Sequence, residues 1–309
     1  MNEEPMKTGT CDIQTAKLSY RLYGELSNPI VIVETAMATC NAEWWHLAEK
    51  WSEKFCVLLY DRAGYGSSSA STLPRTPVNV ANELSELINA LGIQKKVILI
   101  GHSLGGLYAQ QFARLFPDKV HALILLDPVS ANNHIFKQKL NSREYYQSGI
   151  DKSKNLKLGL VISSLKLGFL LKSLLRKAPP FYYFNEFTKD AEDCILNNLT
   201  QRKLYKSAIS EYQFIELDNE IMPLREKNDF PDILLFLICH DPKIMTAEIE
   251  EYGGADKATA IKIDDMWVSL MKEYLHFSSK AIYRQAQNSG HYIHLSDPTV
   301  IWETLLSVK

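Results

Sequence analysis

The sequence predicts an α/β protein in which a doubly wound, mostly parallel sheet is interrupted by an inserted helical cap. Three observations carry this. First, short apolar runs recur at residues 30–33, 55–60, 97–100, 122–126 and 233–238. They are rich in Ile, Val and Leu and do not alternate with polar residues, as expected of strands covered on both faces. Second, helical patterns lie between or after them, at 78–91, 103–116 and 298–307. Strand–helix–strand repetition is the mark of a doubly wound sheet. Third, the alternation stops between residues 131 and 230, a stretch rich in Lys, Leu and Tyr with no strand run. The chain therefore divides into a first part of the core (1–130), the cap (131–230) and a second part of the core (231–309).

The remaining elements follow from local pattern. Residues 11–23 alternate better than the other runs and are expected to form an antiparallel hairpin at the sheet edge. Residues 281–285 read as a late strand. Trp267, Leu270, Met271 and Tyr274 have helical spacing and are assigned to the core. The acidic clusters 248–251 and Asp264-Asp265 are read as solvated helix faces.

Composition narrows the function classes. The 309 residues are 46% apolar and 23% charged, which excludes a disordered or fibrous chain. A formal charge of −2 gives no electrostatic reason to expect a nucleic-acid partner. The five cysteines, Cys11, Cys40, Cys56, Cys194 and Cys239, contain no C-x-x-C pair and read as reduced thiols of a cytoplasmic protein. The acidic N-terminus has no apolar run of the secretory type. The most apolar long segment, 158–175, carries Lys166 and Lys172, against a membrane span. No H-E-x-x-H, Walker or dinucleotide fingerprint occurs, so neither a metal nor a nucleotide cofactor is expected.

Residues 98–109, Ile-Leu-Ile-Gly-His-Ser-Leu-Gly-Gly-Leu-Tyr-Ala, place G-x-S-x-G after a strand run and before a helix. A turn that tight strains the backbone at Ser103 and leaves no room for side chains at 101 and 105, hence glycine. The serine is left at the carboxyl edge of the sheet, above a helix N-terminus that can stabilise an anion. A serine hydroxyl needs a base, and histidine suits neutral pH. Among eight histidines, His291 is the best placed, in the glycine-containing loop after 281–285. His102 flanks the serine and is expected to point away. His240 lies near a strand end and is the weaker competitor. His294 reads as a surface-loop residue.

With these residues in view, the chain resembles the α/β-hydrolase superfamily, and within it the small cap-bearing esterase-like hydrolases that read G-H-S-L-G-G. Residues 61–68, Asp-Arg-Ala-Gly-Tyr-Gly-Ser-Ser, resemble the family's D-x-x-G-x-G-x-S turn. Residues 117–120, Pro-Asp-Lys-Val, and 289–291, Ser-Gly-His, resemble two later signatures. The resemblance implies an eight-stranded sheet and a triad of Ser103, His291 and an acid. Two aspartates compete for the acid. Asp241 follows the seventh strand run, where most relatives carry it, but without the usual glycine turn. Asp127 ends the sixth run, 24 residues past the serine, an arrangement resembling that of haloalkane dehalogenases. Both stay open, with a lean to Asp127. The resemblance also implies an oxyanion hole from the backbone N–H groups of Leu104 and Met37, with Ala36 where the family often has glycine.

The expected activity is cofactor-independent serine hydrolysis of a carboxylic ester or related acyl compound with an apolar part. The alternatives are a slow-turnover ligand sensor of the same fold, or acyl transfer or C–C hydrolysis by the same triad. From 152 to 185 the cap holds seven basic residues and no acid, interleaved with leucines. This suggests a lid helix, or a lipophilic pocket whose surface contacts anionic membrane.

Overall fold

A computed structural model describes residues 6–308. The first five residues of the acidic N-terminus, and the side chains of Leu170, Leu171, Ser173, Leu174 and Asp218, lie outside the described residues. The strands are β1 (Lys7–Asp12), β2 (Lys17–Tyr23), β3 (Ile30–Glu34), β4 (Cys56–Tyr60), β5 (Val97–His102), β6 (Val120–Leu126), β7 (Leu234–Cys239) and β8 (Ala281–Gln285). They form one eight-stranded sheet in the order β1-β2-β4-β3-β5-β6-β7-β8. β1 and β2 form the edge hairpin, β2 also pairs antiparallel with β4, and all other pairs are parallel.

Helices α1 (Trp45–Trp51), α2 (Pro77–Ala90) and α3 (Leu104–Leu115) alternate with the early strands. Seven more fill the interval between β6 and β7: α4 (His134–Lys139), α5 (Ser142–Gln147), α6 (Ser153–Ser164), α7 (Gly168–Leu175), α8 (Lys189–Leu199), α9 (Arg202–Ile215) and α10 (Asp218–Arg225). The chain then adds α11 (Pro242–Gly253), α12 (Lys257–Lys272), α13 (Ile293–Ser296) and α14 (Pro298–Ser307). Starts are marked by side-chain caps. Thr76 accepts from Asn79 N ahead of Pro77, and Asp256 caps α12.

The apolar runs are buried on both faces. Ile32, Leu58, Leu99 and Leu123 face Leu84, Phe112 and Met271. Val33, Leu59, Ile100 and Ile124 face Leu47, Ile301 and Leu305. Burial on two faces removes the period-two alternation that would otherwise mark a strand. Among the described residues no helix is long and apolar enough to cross a membrane.

The register aligns the strand ends that matter. Glu34 of β3 pairs with Gly101 of β5, His102 with Leu126 of β6, and Leu126 with Ile238 of β7. The loops after β3, β5, β6 and β7 therefore leave the sheet side by side, at the edge where ligands bind in such sheets.

Candidate active site

The turn from β5 into α3 holds Ser103 at φ 55° and ψ −122°. Non-glycine residues seldom occupy positive φ, and such strain clusters at functional sites. Among the described residues five non-glycines do so, and Ala38, Ser103, Asp127 and Asn288 all belong to loops that meet here. The glycines permit the turn. A Cβ on Gly101 would lie 2.7 Å from the Gly105 carbonyl oxygen, and one on Gly105 would lie 2.1 Å from that of Glu34. Ser103 N donates to Leu126 O at 3.0 Å, and Ser103 O accepts from Val129 N at 3.0 Å. The elbow is thus stitched to the loop that carries Asp127.

Asp127 is fully buried, and its Oδ2 accepts from His291 Nδ1 at 2.6 Å. Its φ of 44° turns the carboxylate out of the strand direction toward that ring. Burial would raise its pKa, but the charges and hydrogen bonds of His240 and His291 hold it well below the usual carboxylate range. Asp241 is placed otherwise. Its side chain caps α11, accepting from Lys243 N at 2.9 Å, with Pro242 at the first helical position. The residue after β7 is thus used by the backbone of its own helix, and the carboxylate bonded to His291 is Asp127.

Two histidines differ from the sequence expectation. His102 does not point away. Its Nε2 donates to the His291 carbonyl at 2.9 Å, and the two rings lie 4.9 Å apart. Burial, then the neighbouring His291, lowers its pKa to about 3, so the ring is neutral. His294 is not on the surface. It is fully buried and stacks on Trp44 at 4.2 Å. His240 is no base for the serine. Its Nδ1 lies 2.6 Å from Asp127 Oδ1, and its Nε2 lies 2.7 Å from Asp264 Oδ1. Asp264 is accordingly buried, not solvated, while Asp265 beside it is exposed. Glu248 is also drawn inward: a Cβ on Gly290 would meet its carboxylate, and burial raises its pKa. Trp267 is only partly buried and puts its ring 5.6 Å from that of His291.

The loop after β3 is tethered from below. Arg62 is buried and donates through Nη1 to Thr35 O (2.5 Å) and Glu34 Oε1 (2.7 Å), and through Nη2 to Ala36 O (3.0 Å). Its Nε reaches Glu211 Oε1 of α9 at 3.0 Å. Asn198 of α8 donates to Ala38 O at 3.3 Å. The left-handed residue of this loop is Ala38 (φ 62°), so alanine at 36 carries no backbone penalty. Met37 and Leu104, the two expected oxyanion donors, pack in one apolar cluster with Ile215, Ile221 and Leu224 from the helices between β6 and β7. Among the described residues no group of three His, Cys, Asp or Glu side chains could hold a metal ion.

These features define the protein class. The family profile for the alpha/beta hydrolase fold matches residues 28–298, and the chain belongs to that family. An AB hydrolase superfamily protein of Gibberella zeae is 22% identical over 88% of this chain and 84% of its own. An enol-lactonase structure from Burkholderia xenovorans superposes with a TM-score of 0.64 at 17% identity, covering 97% of this chain and 99% of that one. A bovine (lyso)-N-acylphosphatidylethanolamine lipase is 41% identical over 73 residues, which is 22% of this chain and 21% of that enzyme.

Proposed function

We propose that this chain is a cofactor-independent serine hydrolase that cleaves carboxylic esters or related acyl compounds with an apolar part. The observation that carries the reading is the 2.6 Å bond from His291 Nδ1 to the buried Asp127, set beside a serine at a strained strand-to-helix elbow. The Asp127 bond fixes the tautomer in which Nε2 is free to accept a proton. Ser103 Oγ attacks the acyl carbon and its proton passes to Nε2. The N–H groups of Leu104 and Met37 hold the oxyanion. The leaving alcohol takes the proton from Nε2, and water then repeats the cycle on the acyl-enzyme. The apolar cap cluster over Met37 and Leu104 favours a lipophilic acyl or alcohol group. Two relatives named as a lipase and an enol-lactonase support the acyl class. A fluorophosphonate probe should label the protein and not Ser103→Ala. Esters of increasing chain length should show rising kcat/KM. Full activity in Ser103→Ala would remove the reading.

A specific feature of the cap supports an anionic bilayer as the place where that substrate is met. Helix α6 buries Leu156, Gly159 and Ser163, with Gly159 against the Tyr205 ring. Leu158, Val161 and Leu165, at helical spacing on the opposite side, are each more than half exposed, as is Phe169. Exposed Lys154, Lys157 and Lys166 border this face. An outward apolar stripe with a lysine border suits insertion beside acidic headgroups. The protein should sediment with phosphatidylserine-containing vesicles, less so at high salt. Equal sedimentation with pure phosphatidylcholine vesicles would count against it.

A further inference from the structure

The buried chain Asp264–His240–Asp127–His291 extends the site past the three residues the hydrolase reading uses. His240 presents both ring nitrogens to carboxylate oxygens, at 2.6 Å to Asp127 and 2.7 Å to Asp264. Its backbone N also donates to Asp127 Oδ1, at 3.2 Å. With both carboxylates ionised their oxygens only accept, so both nitrogens then carry hydrogen and the ring is an imidazolium. Asp127 in turn uses Oδ1 for His240 and Oδ2 for His291. His240 and Asp127 are fully buried, and Asp264 is nearly so.

We propose that His240, gripped between Asp127 and Asp264, is a permanently charged positioning residue that aims Asp127 at His291 and sets the pH at which His291 becomes a competent base. The proposal rests on the triad reading above. Its physical basis is charge balance. A buried carboxylate 2.6 Å from an imidazole stabilises positive charge on that ring. A fixed cation on the opposite oxygen cancels much of that field. Burial alone would discharge His240, but Asp127 and then Asp264 outweigh it and push its pKa up to about 10. Other groups also face the chain. His102 enters from β5 and is neutral. Glu248 of α11, with its pKa raised by burial, faces Asp127, His240 and His291, and is hydrogen-bonded to Tyr183 of the cap. Tyr283 of β8 and Cys239 of β7 face Asp127 and are held in their neutral forms by burial. Lys272 faces Cys239, and His294 faces His291 from α13. Among these, His240 alone joins Asp127 directly on the side away from His291.

Asp264→Asn isolates the effect. The amide keeps the shape and can donate to Nε2, so a neutral His240 still satisfies both neighbours. With the cation gone, the acid limb of kcat/KM should move up, by on the order of one pH unit. A merely structural role would lower kcat at every pH and leave that limb in place. The ring charge is read without substrate, by ¹⁵N NMR of histidine-labelled protein at pH 8. Wild-type His240 should give two protonated ring nitrogens, and folded Asp264→Asn should give one. A neutral His240 in the wild type overturns the proposal, even if the variant does not fold. So does a folded Asp264→Asn enzyme whose acid limb is unmoved. Because the NMR result is independent of turnover, failure of the serine reading in Ser103→Ala would register separately.

Discussion

Gly105→Ala tests how tightly the elbow and the oxyanion loop are joined. On helix propensity alone, alanine at this position of α3 would be favoured by about 1 kcal/mol. The packing says otherwise. The new Cβ would lie 2.1 Å from Glu34 O and 2.5 Å from Thr35 O, whereas real Cβ atoms essentially never come closer than 3.0 Å. The backbone must therefore open by about 0.9 Å, and neither contact is a flexible side-chain end that could swing aside. Arg62 holds the Thr35 and Ala36 carbonyls from the far side, so the loop cannot yield freely. Overpacking of this kind costs about 1–3 kcal/mol of stability. Its effect on chemistry is larger: a displacement near 1 Å between Met37 N–H and the reacting carbon costs about a hundredfold in rate. The assay is steady-state hydrolysis of a p-nitrophenyl ester beside thermal unfolding. The expected result is kcat down about a hundredfold, KM little changed, and a melting temperature lower by several degrees. A folded variant with wild-type kcat would refute the assignment of the oxyanion hole to this loop.

Two further predictions concern the carboxylates. Asp127→Asn should lose several orders of magnitude in kcat while still folding, because the His291 tautomer is no longer fixed. Asp241→Asn should stay within a few-fold of wild type and lose at most about 1 kcal/mol of helix-cap stability in urea unfolding. Glu43 lies fully buried beside His294, and burial pushes its pKa up to about 8. A folded-state pKa above the unfolded value means that stability is fullest below the unfolded pKa, near 4.5, and is lost as pH rises to about 8. Glu43→Gln should therefore gain on the wild type across that window, by a few kcal/mol, and show a constant difference above it. Denaturation at pH 5 and pH 8.5 reads the change. A difference that does not vary with pH would mean that Glu43 is ionised in the fold.

The sheet was legible because strands covered on both faces need continuous Ile, Val and Leu, and such runs are rare elsewhere in this chain. Ser103 and His291 were legible because the elbow and the late Gly-His loop constrain residue types locally. The acid was not. Asp127 and Asp241 both follow a strand end and both precede proline, and what separates them is backbone direction. Asp127 adopts φ 44° and turns toward His291, while Asp241 turns into its own helix. His294 and Asp264 were misread for a related reason. Each is buried by residues distant in sequence: Trp44 stacks on the first, and His240 bonds the second. The clue available beforehand was His240 itself, a bulky polar residue where a glycine turn was expected. A polar side chain at that strand end needs buried partners.

Arg62 has one more consequence. Its guanidinium joins the carbonyls of Thr35 and Ala36 to Glu211, a carboxylate that the polypeptide delivers about 150 residues later, from within the insertion. Excising the insertion to make a minimal enzyme would remove one of the two carboxylates paired with this buried cation and leave it with Glu34 alone, under the loop after β3. Transplanting the insertion of a cousin would do the same unless the donor brought its own anion to that spot. For anyone re-engineering substrate choice here, the insertion and the loop are one part to be exchanged together.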